Sequence, residues 1–80
     1  MSEYLLRYYY ATEHPASGTD TASGERKISA ASKDVALSML FARIDVDPYI
    51  VFFVEGGKEI STGLNYYELA QRRQEIRKKK

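Results

Sequence analysis

The stretch Tyr49–Glu55 constrains the fold more than any other part of the chain. Every residue from 49 to 54 is apolar or aromatic, so both faces of an extended strand here would be apolar. A strand of this kind is typical of the centre of a sheet, or of a sheet that is covered on both sides. The pair Gly56-Gly57 follows directly and predicts a two-residue hairpin turn that sets Glu55 opposite Lys58. The fold is therefore expected to be built around a β-hairpin whose first strand is central.

Two further strands are predicted before this hairpin. Glu3–Thr12 contains three consecutive tyrosines, which favour an extended chain and fall alternately on its two faces. A shorter strand, Glu25–Ala30, is expected to pair antiparallel with it. Between them, residues 13–24 are small, polar and aperiodic, and this composition predicts a flexible loop.

Two helices are predicted from caps and apolar spacing. Lys33–Ile44 follows Ser32, a good N-cap residue, and its apolar residues recur at helical intervals. Pro48 then prevents the helix from continuing. The second helix, Tyr66–Arg77, follows a capping-box pattern that begins at Asn65.

The resulting element order is β-β-α-β-β-α, which predicts an α+β fold. We expect a four-stranded antiparallel sheet with one packed helix (β-β-α-β-β) plus a basic C-terminal helix. The 80 residues are expected to form a single small domain, in which residues 66–80 make up the basic helix and tail. The sequence leaves the placement of the second helix undecided: it covers an edge of the sheet, covers the other face of the sheet, or projects from the body.

Charge is distributed unevenly along the chain. Residues 1–65 contain six basic and nine acidic residues, a net charge of −3, whereas residues 66–80 contain six basic and two acidic residues, a net charge of +4. An asymmetry of this kind points to a charged partner, either phosphate groups or an acidic protein surface. It also suits a solvated helix end, because cations are favourable at a helix C-terminus.

The sequence contains no pattern typical of catalysis, of a metal site or of a cofactor site. There is no cysteine, and His14 is the only histidine, so triads and Cys/His metal clusters lack their usual residues. We therefore expect no enzyme activity, no cofactor and no metal. No apolar run approaches the about 20 residues that a membrane span needs, and the first residues lack a signal-peptide pattern, so a cytoplasmic protein is expected.

The order of signals from residue 26 onward resembles that of small phage-encoded anti-CRISPR proteins. The similar features are the run Lys27–Ser32, which leads into an Ala/Leu-rich helix, and the strand and glycine-turn hairpin of Tyr49–Ser61. The resemblance implies a non-enzymatic inhibitor that binds a bacterial CRISPR effector protein or complex, in the cytoplasm of the bacterial host cell, and blocks nucleic-acid access. The basic C-terminal helix departs from the pattern of a purely acidic DNA mimic.

The sequence therefore supports two hypotheses for the function. The first is a non-catalytic, protein-binding inhibitor, because tyrosines on a rigid scaffold are good interface anchors. Its predicted partner-binding residues are Tyr8, Tyr9, Tyr10, Tyr66, Tyr67, Arg72 and Arg73.

The alternative is a small nucleic-acid-binding accessory protein that uses the basic C-terminal helix. Its predicted binding residues are Arg72, Arg73, Arg77, Lys78, Lys79 and Lys80. An exposed sheet edge or face would also suit a homodimer.

Overall fold

A computed structural model describes residues 2–14 and 18–78 of the chain. Its elements follow the predicted order: β1 (Ser2–His14), β2 (Gly18–Ala30), α1 (Lys33–Arg43), β3 (Pro48–Glu55), β4 (Lys58–Ser61) and α2 (Tyr66–Lys78). The four strands form one antiparallel sheet in the order β2-β1-β3-β4. The predicted α+β fold is confirmed, and so is the central position of the strand that follows Pro48.

β1 and β2 form a long hairpin, which corrects the predicted loop at residues 13–24. The two strands pair without interruption from Ser2 opposite Ala30 to His14 opposite Gly18. Residues 15–17 lie outside the described residues, but residues 13, 14 and 18–24 belong to strands, so the loop prediction is wrong for them. Small polar residues give no periodic signal. Pairing with β1 nevertheless satisfies the backbone groups along the inner edge of β2, whatever the side chains are.

Gly24 makes room on β2 for an aromatic ring of β1. Gly24 lies opposite Tyr8, and a Cβ added at Gly24 would lie 2.5 Å from Cζ of that ring. The ring is held in place because it also stacks on Tyr10, with the centroids 6.0 Å apart, and Tyr8 is only 8% exposed. Any larger residue at position 24 would have to displace a core side chain.

The β3–β4 hairpin forms as predicted. Gly56 and Gly57 adopt φ values of 59° and 79°, in the left-handed region that glycine enters without steric cost. The turn sets Glu55 opposite Lys58, as the sequence indicated. The tight turn therefore fixes the register of the edge strand β4.

The ladder between β1 and β3 contains a bulge. Tyr9 lies opposite Ile50, but the next residue, Tyr10, lies opposite Pro48. Tyr49 is consequently the extra residue on β3, and it is 40% exposed instead of sharing the core face of its strand.

α1 supplies most of the apolar layer above the sheet. The Ser32 side chain accepts a hydrogen bond from the backbone N–H of Val35 at 3.3 Å, which confirms the predicted N-cap. The helix ends at Arg43, one residue before the predicted end. It packs on the sheet through Ala36, Leu37, Leu40 and Phe41.

α2 lies beside α1 on the same face of the sheet. This placement differs from the three that the sequence had left undecided. Leu69 is fully buried in the core cluster that contains Phe41 of α1 and Val51 of β3. The capping box is present: the backbone N–H of Asn65 donates to Glu68 at 3.1 Å, and the N–H of Glu68 donates to Asn65 at 2.9 Å. Within the described residues, neither helix is long and apolar enough to cross a membrane.

Candidate functional site

The main candidate surface is the side of the sheet turned away from both helices, which we name the open sheet face. Residues directly opposite each other in an antiparallel sheet share a face. By this rule the central part of the open sheet face consists of Leu5, Arg7 and Tyr9 (β1), Glu25 and Lys27 (β2), Ile50, Phe52 and Val54 (β3) and Glu59 (β4). Its β1 and β3 members are half-buried, although no described helix covers them. Exposed surface of this apolar kind is typical of an interaction site.

Polar side chains form a belt across this face, which we name the Arg7 cluster: Arg7, Glu25, Glu59 and Tyr9. Arg7 donates from Nε and Nη2 to Oε1 of Glu25 at 3.2 and 3.0 Å, and from Nη1 to Oε2 of Glu59 at 3.2 Å. The Tyr9 hydroxyl donates to the same Glu59 oxygen. One guanidinium therefore links β1 to both edge strands.

These contacts shift the protonation equilibria of three members. The hydrogen bond from Tyr9 lowers the pKa of Glu59 below its usual value, and the contact with Arg7 adds to this effect. The same hydrogen bond to Glu59 raises the pKa of Tyr9, because ionising the phenol would place two anions together. The hydrogen bonds to Glu59 and then to Glu25 raise the pKa of Arg7. The cluster is therefore a charged network at neutral pH, with its cation already neutralised.

The apolar part of the face surrounds this network. The rings of Tyr9 and Phe52 meet edge to face, with centroids 5.9 Å apart and planes at 84°. Leu5 lies opposite Val54, and Ile50 lies opposite Tyr9. The result is a rigid apolar patch on two central strands, crossed by paired charges.

The predicted partner-binding tyrosines do not form one surface. Tyr9 lies on the open sheet face, but Tyr8 and Tyr10 lie on the helix side of β1, where Tyr8 is buried and Tyr10 packs against the core. Tyr66 and Tyr67 stand at the start of α2, 53% and 80% exposed, with their rings in edge-to-face contact at 5.8 Å. Of the five, Tyr9, Tyr66 and Tyr67 are therefore the ones placed to meet a partner.

The arginines of α2 attach this helix to the rest of the fold. Arg72 pairs with Asp34 of α1. Nε of Arg73 and Nη2 of Arg77 both lie near Oδ1 of Asp47, at 3.2 and 3.4 Å. The Arg73 side chain is only 12% exposed. These three cations are thus used inside the protein, so binding phosphate would compete with existing ion pairs.

The remaining members of the predicted nucleic-acid set are lysines. Lys78 is exposed at the end of α2. Lys79 and Lys80 lie outside the described residues. The basic segment is therefore divided between arginines that pair with Asp34 or Asp47 and a short lysine run.

A cleft of 240 Å³ separates the start of α1 from α2. Its floor contains Phe53 and Leu37, and Nζ of Lys33 lies 5.5 Å from the centroid of the Phe53 ring. Its rim charges are paired, since Lys33 also lies 3.6 Å from Glu55. In residues 2–14 and 18–78, no group of three or more His, Cys, Asp or Glu side chains is placed to hold a metal ion.

Sequence reasoning missed the Arg7 cluster as a site. The available signal was Arg7 itself, the charged residue within the apolar and aromatic run from Tyr4 to Ala11. Its partners are 18 and 52 positions away, on the two edge strands. Only the register of the complete sheet brings them together.

Comparison with known proteins identifies no relative of this chain. No family model matches it, no curated protein matches it, and no solved structure matches it. Function has therefore to be inferred from the surface itself.

Proposed function

We propose that this protein is a non-catalytic inhibitor that docks its open sheet face on a partner protein. The observation that carries the proposal is that half-buried apolar residues and a neutralised cation share one rigid face. Aromatic residues such as Tyr9 and Phe52 are typical interface anchors. A charge that is already paired also costs less to cover than an isolated one. The face therefore suits a protein surface better than a phosphate backbone.

The proposed partner surface is an apolar patch flanked by basic residues. The Arg7 cluster contains one guanidinium and two carboxylates, and residues 1–65 carry a net charge of −3. A carboxylate accepts up to about four hydrogen bonds, so Glu25 and Glu59 can receive donors from a partner while they hold Arg7. Basic surfaces are the usual nucleic-acid-binding surfaces of proteins. Docking there would block nucleic-acid access.

A bacterial CRISPR effector protein or complex is the first partner to test. This choice rests on the resemblance of the layout to anti-CRISPR proteins, and the corresponding setting is the cytoplasm of the bacterial host cell. An effector that holds guide and target strands also has the basic surface that the open sheet face requires.

The test compares three baits in nuclease-treated lysate of CRISPR-bearing bacteria: wild type, Leu5→Lys and Val35→Lys. Leu5→Lys places a charge on the open sheet face, whereas Val35→Lys places the same charge on exposed surface of α1, where Val35 is 43% exposed. We expect a protein that wild type and Val35→Lys retain and that Leu5→Lys loses. With that partner purified, Leu5→Lys should weaken binding by at least about tenfold, equivalent to about 1.4 kcal/mol. Equal binding by all three baits would overturn the proposal.

Nucleic-acid binding through α2 is the alternative, and the +4 charge of residues 66–80 favours it. Binding of labelled duplex DNA should be measured against salt for the whole chain and for a variant that ends at Arg77. Six phosphate contacts predict a log–log slope of about −5, and three lysine contacts predict about −3. A slope near −3 that disappears in the shortened variant would assign binding to Lys78–Lys80 and leave the arginines in their internal pairs. Absence of binding would remove this alternative.

A further inference from the structure

The outer edge of β2 is the longest unpaired backbone edge of the described fold. β2 has 13 residues and lies at the end of the sheet, with β1 on one side only. The opposite edge strand, β4, has only four residues. An exposed edge presents a row of N–H and C=O groups that can pair with another strand.

β2 lacks two of the features that normally prevent edge pairing. It contains no proline, and its ladder with β1 runs through 13 consecutive pairs without a bulge. It does contain charged residues: Asp20, Glu25, Arg26 and Lys27. Whether these charges oppose or favour pairing depends on which residues they face.

Two copies of β2 can pair antiparallel about a twofold axis, and the position of that axis decides which charges meet. With Ser23 on the axis, Arg26 lies opposite Asp20 of the second copy. The twofold symmetry generates a second, identical Arg26–Asp20 pair. Oppositely charged cross-strand pairs are stabilising, and like-charged pairs are destabilising. The carboxylate of Asp20 can accept from Arg26 as well as from another donor.

Other positions of the axis are less favourable. With the axis at Glu25 or at Arg26, that residue would face its own copy, and two like charges would be opposed. The axis at Arg26 would also form two Glu25–Lys27 pairs, but Glu25 is already paired with Arg7, and the Arg26–Arg26 contact offsets part of their gain. With the axis at Gly24, Arg26 would face Ala22, and no charged pair would form. The register centred on Ser23 therefore has the best charge complementarity.

We propose that the protein forms a homodimer through the β2 edges, in antiparallel register centred on Ser23. The dimer contains one continuous sheet in the order β4-β3-β1-β2-β2-β1-β3-β4. Both open sheet faces lie on the same side of this sheet, so a partner would meet two Arg7 clusters. The dimer requires no partner, so its test is separate from that of the proposed function.

Cysteine crosslinking tests the register directly, because the chain contains no cysteine. Ser23 and Thr21 are both exposed and lie on the same face of β2. In the proposed dimer the two Ser23 Cα atoms lie about 5 Å apart, within disulfide range. The two Thr21 Cα atoms are offset by four residues, about 13 Å, which is too far. We expect Ser23→Cys to form a disulfide-linked dimer under mild oxidation and Thr21→Cys to remain monomeric on a non-reducing gel. Equal crosslinking, or crosslinking of Thr21→Cys alone, would overturn the register.

Charge exchange tests the Arg26–Asp20 pair. Sedimentation equilibrium should show that Arg26→Asp and Asp20→Arg each weaken dimerisation by at least about tenfold, and that the double variant recovers it. Lys27→Asp makes the same change in net charge as Arg26→Asp but faces Thr19, so it should leave dimerisation unchanged. Circular dichroism checks that every variant is folded. A wild-type mass that stays monomeric at about 1 mM, or a double variant that fails to recover, would overturn the proposal.

Discussion

The hydroxyl of Tyr9 donates a hydrogen bond to Glu59, 50 positions later, on a strand that does not neighbour β1. The contact spans β3, where Phe52 meets the Tyr9 ring. Together with the two ion pairs of Arg7, it ties three strands together through side chains on one face. A surface that is fixed before binding loses less conformational freedom when a partner docks.

Replacing Glu59 should change how stability depends on pH. The pKa of Glu59 in the folded protein lies below its usual 4.5, so the ionised carboxylate stabilises the fold above that value. This contribution is lost as the pH falls from 4.5 through the folded-state pKa. We expect Glu59→Gln to have a lower free energy of unfolding than wild type at pH 7, and the difference to shrink in acid. Urea unfolding at several pH values measures it. Glu75→Gln, on exposed surface of α2, is the control, and a pH profile for Glu59→Gln that parallels wild type would contradict the prediction.

Removing the Tyr9 hydroxyl should raise the pKa of Glu59. The hydrogen bond from Tyr9 is the largest cause of the lowered value, and Tyr9→Phe removes it while it keeps the ring against Phe52. The carboxyl carbon of Glu59, followed by NMR during an acid titration, reports the change. Tyr4→Phe serves as a control because Tyr4 lies on the helix side of β1. An unchanged titration in Tyr9→Phe would show that the hydrogen bond does not form in solution.

A methyl group at position 24 should destabilise the fold. Gly24→Ala would press on the Tyr8 ring, and overpacking of this kind costs about 1–3 kcal/mol. The entropy that alanine removes from the unfolded chain offsets about 0.4–1 kcal/mol, so mid-range values of about 2 and about 0.7 kcal/mol leave an expected net loss of about 1.3 kcal/mol. Urea unfolding should show this loss for Gly24→Ala and a change within about 0.5 kcal/mol for Ser23→Ala. Tyr8→Leu should reduce the cost of the alanine if the ring is its cause, and an equal cost in both backgrounds would exclude that cause.

Removing the Asp47 carboxylate should loosen α2. Asp47→Ala leaves Arg73, which is 12% exposed, without the carboxylate that faces it, and it also removes a partner of Arg77. We expect a loss of about 1–3 kcal/mol in the free energy of unfolding, typical of a polar group left unpaired in a mostly buried position. Asp45→Ala, an exposed residue of the same turn, should change it by less than about 0.5 kcal/mol. Hydrogen exchange should also quicken in α2 for Asp47→Ala alone. Equal effects of the two substitutions would contradict a specific role for Asp47.

Elements with a strong local signal were predictable from the sequence. Gly56-Gly57 between two strand-like segments fixed the β3–β4 turn, because few other residues adopt positive φ twice in succession. The N-cap at Ser32 and the capping box at Asn65 correctly placed the starts of both helices.

Features that depend on distant pairing were not predictable in this way. The β2 segment before Glu25 has no apolar periodicity, and only its pairing with β1 makes it a strand. Arg73 interrupts the apolar stripe of α2, yet its partner Asp47 lies in another turn and gives no local sign. The alternation of Tyr8 and Tyr9 between the two faces of β1 was expected, but only the position of the helices shows that Tyr8 is buried and that Tyr9 lies on the open sheet face.

The strand order has a consequence for synthesis on the ribosome. β1 is made first but needs β3 beside it: Leu5 pairs with Val54, which the ribosome adds 49 positions later. At about 5–20 residues per second, roughly 2–10 s pass before that partner exists. During this interval the β1–β2 hairpin and α1 can form, but the core stays incomplete until β3 and then Leu69 have been made. A chaperone that binds nascent chains is therefore expected to contact Leu6 and Tyr8 before the core around them is complete.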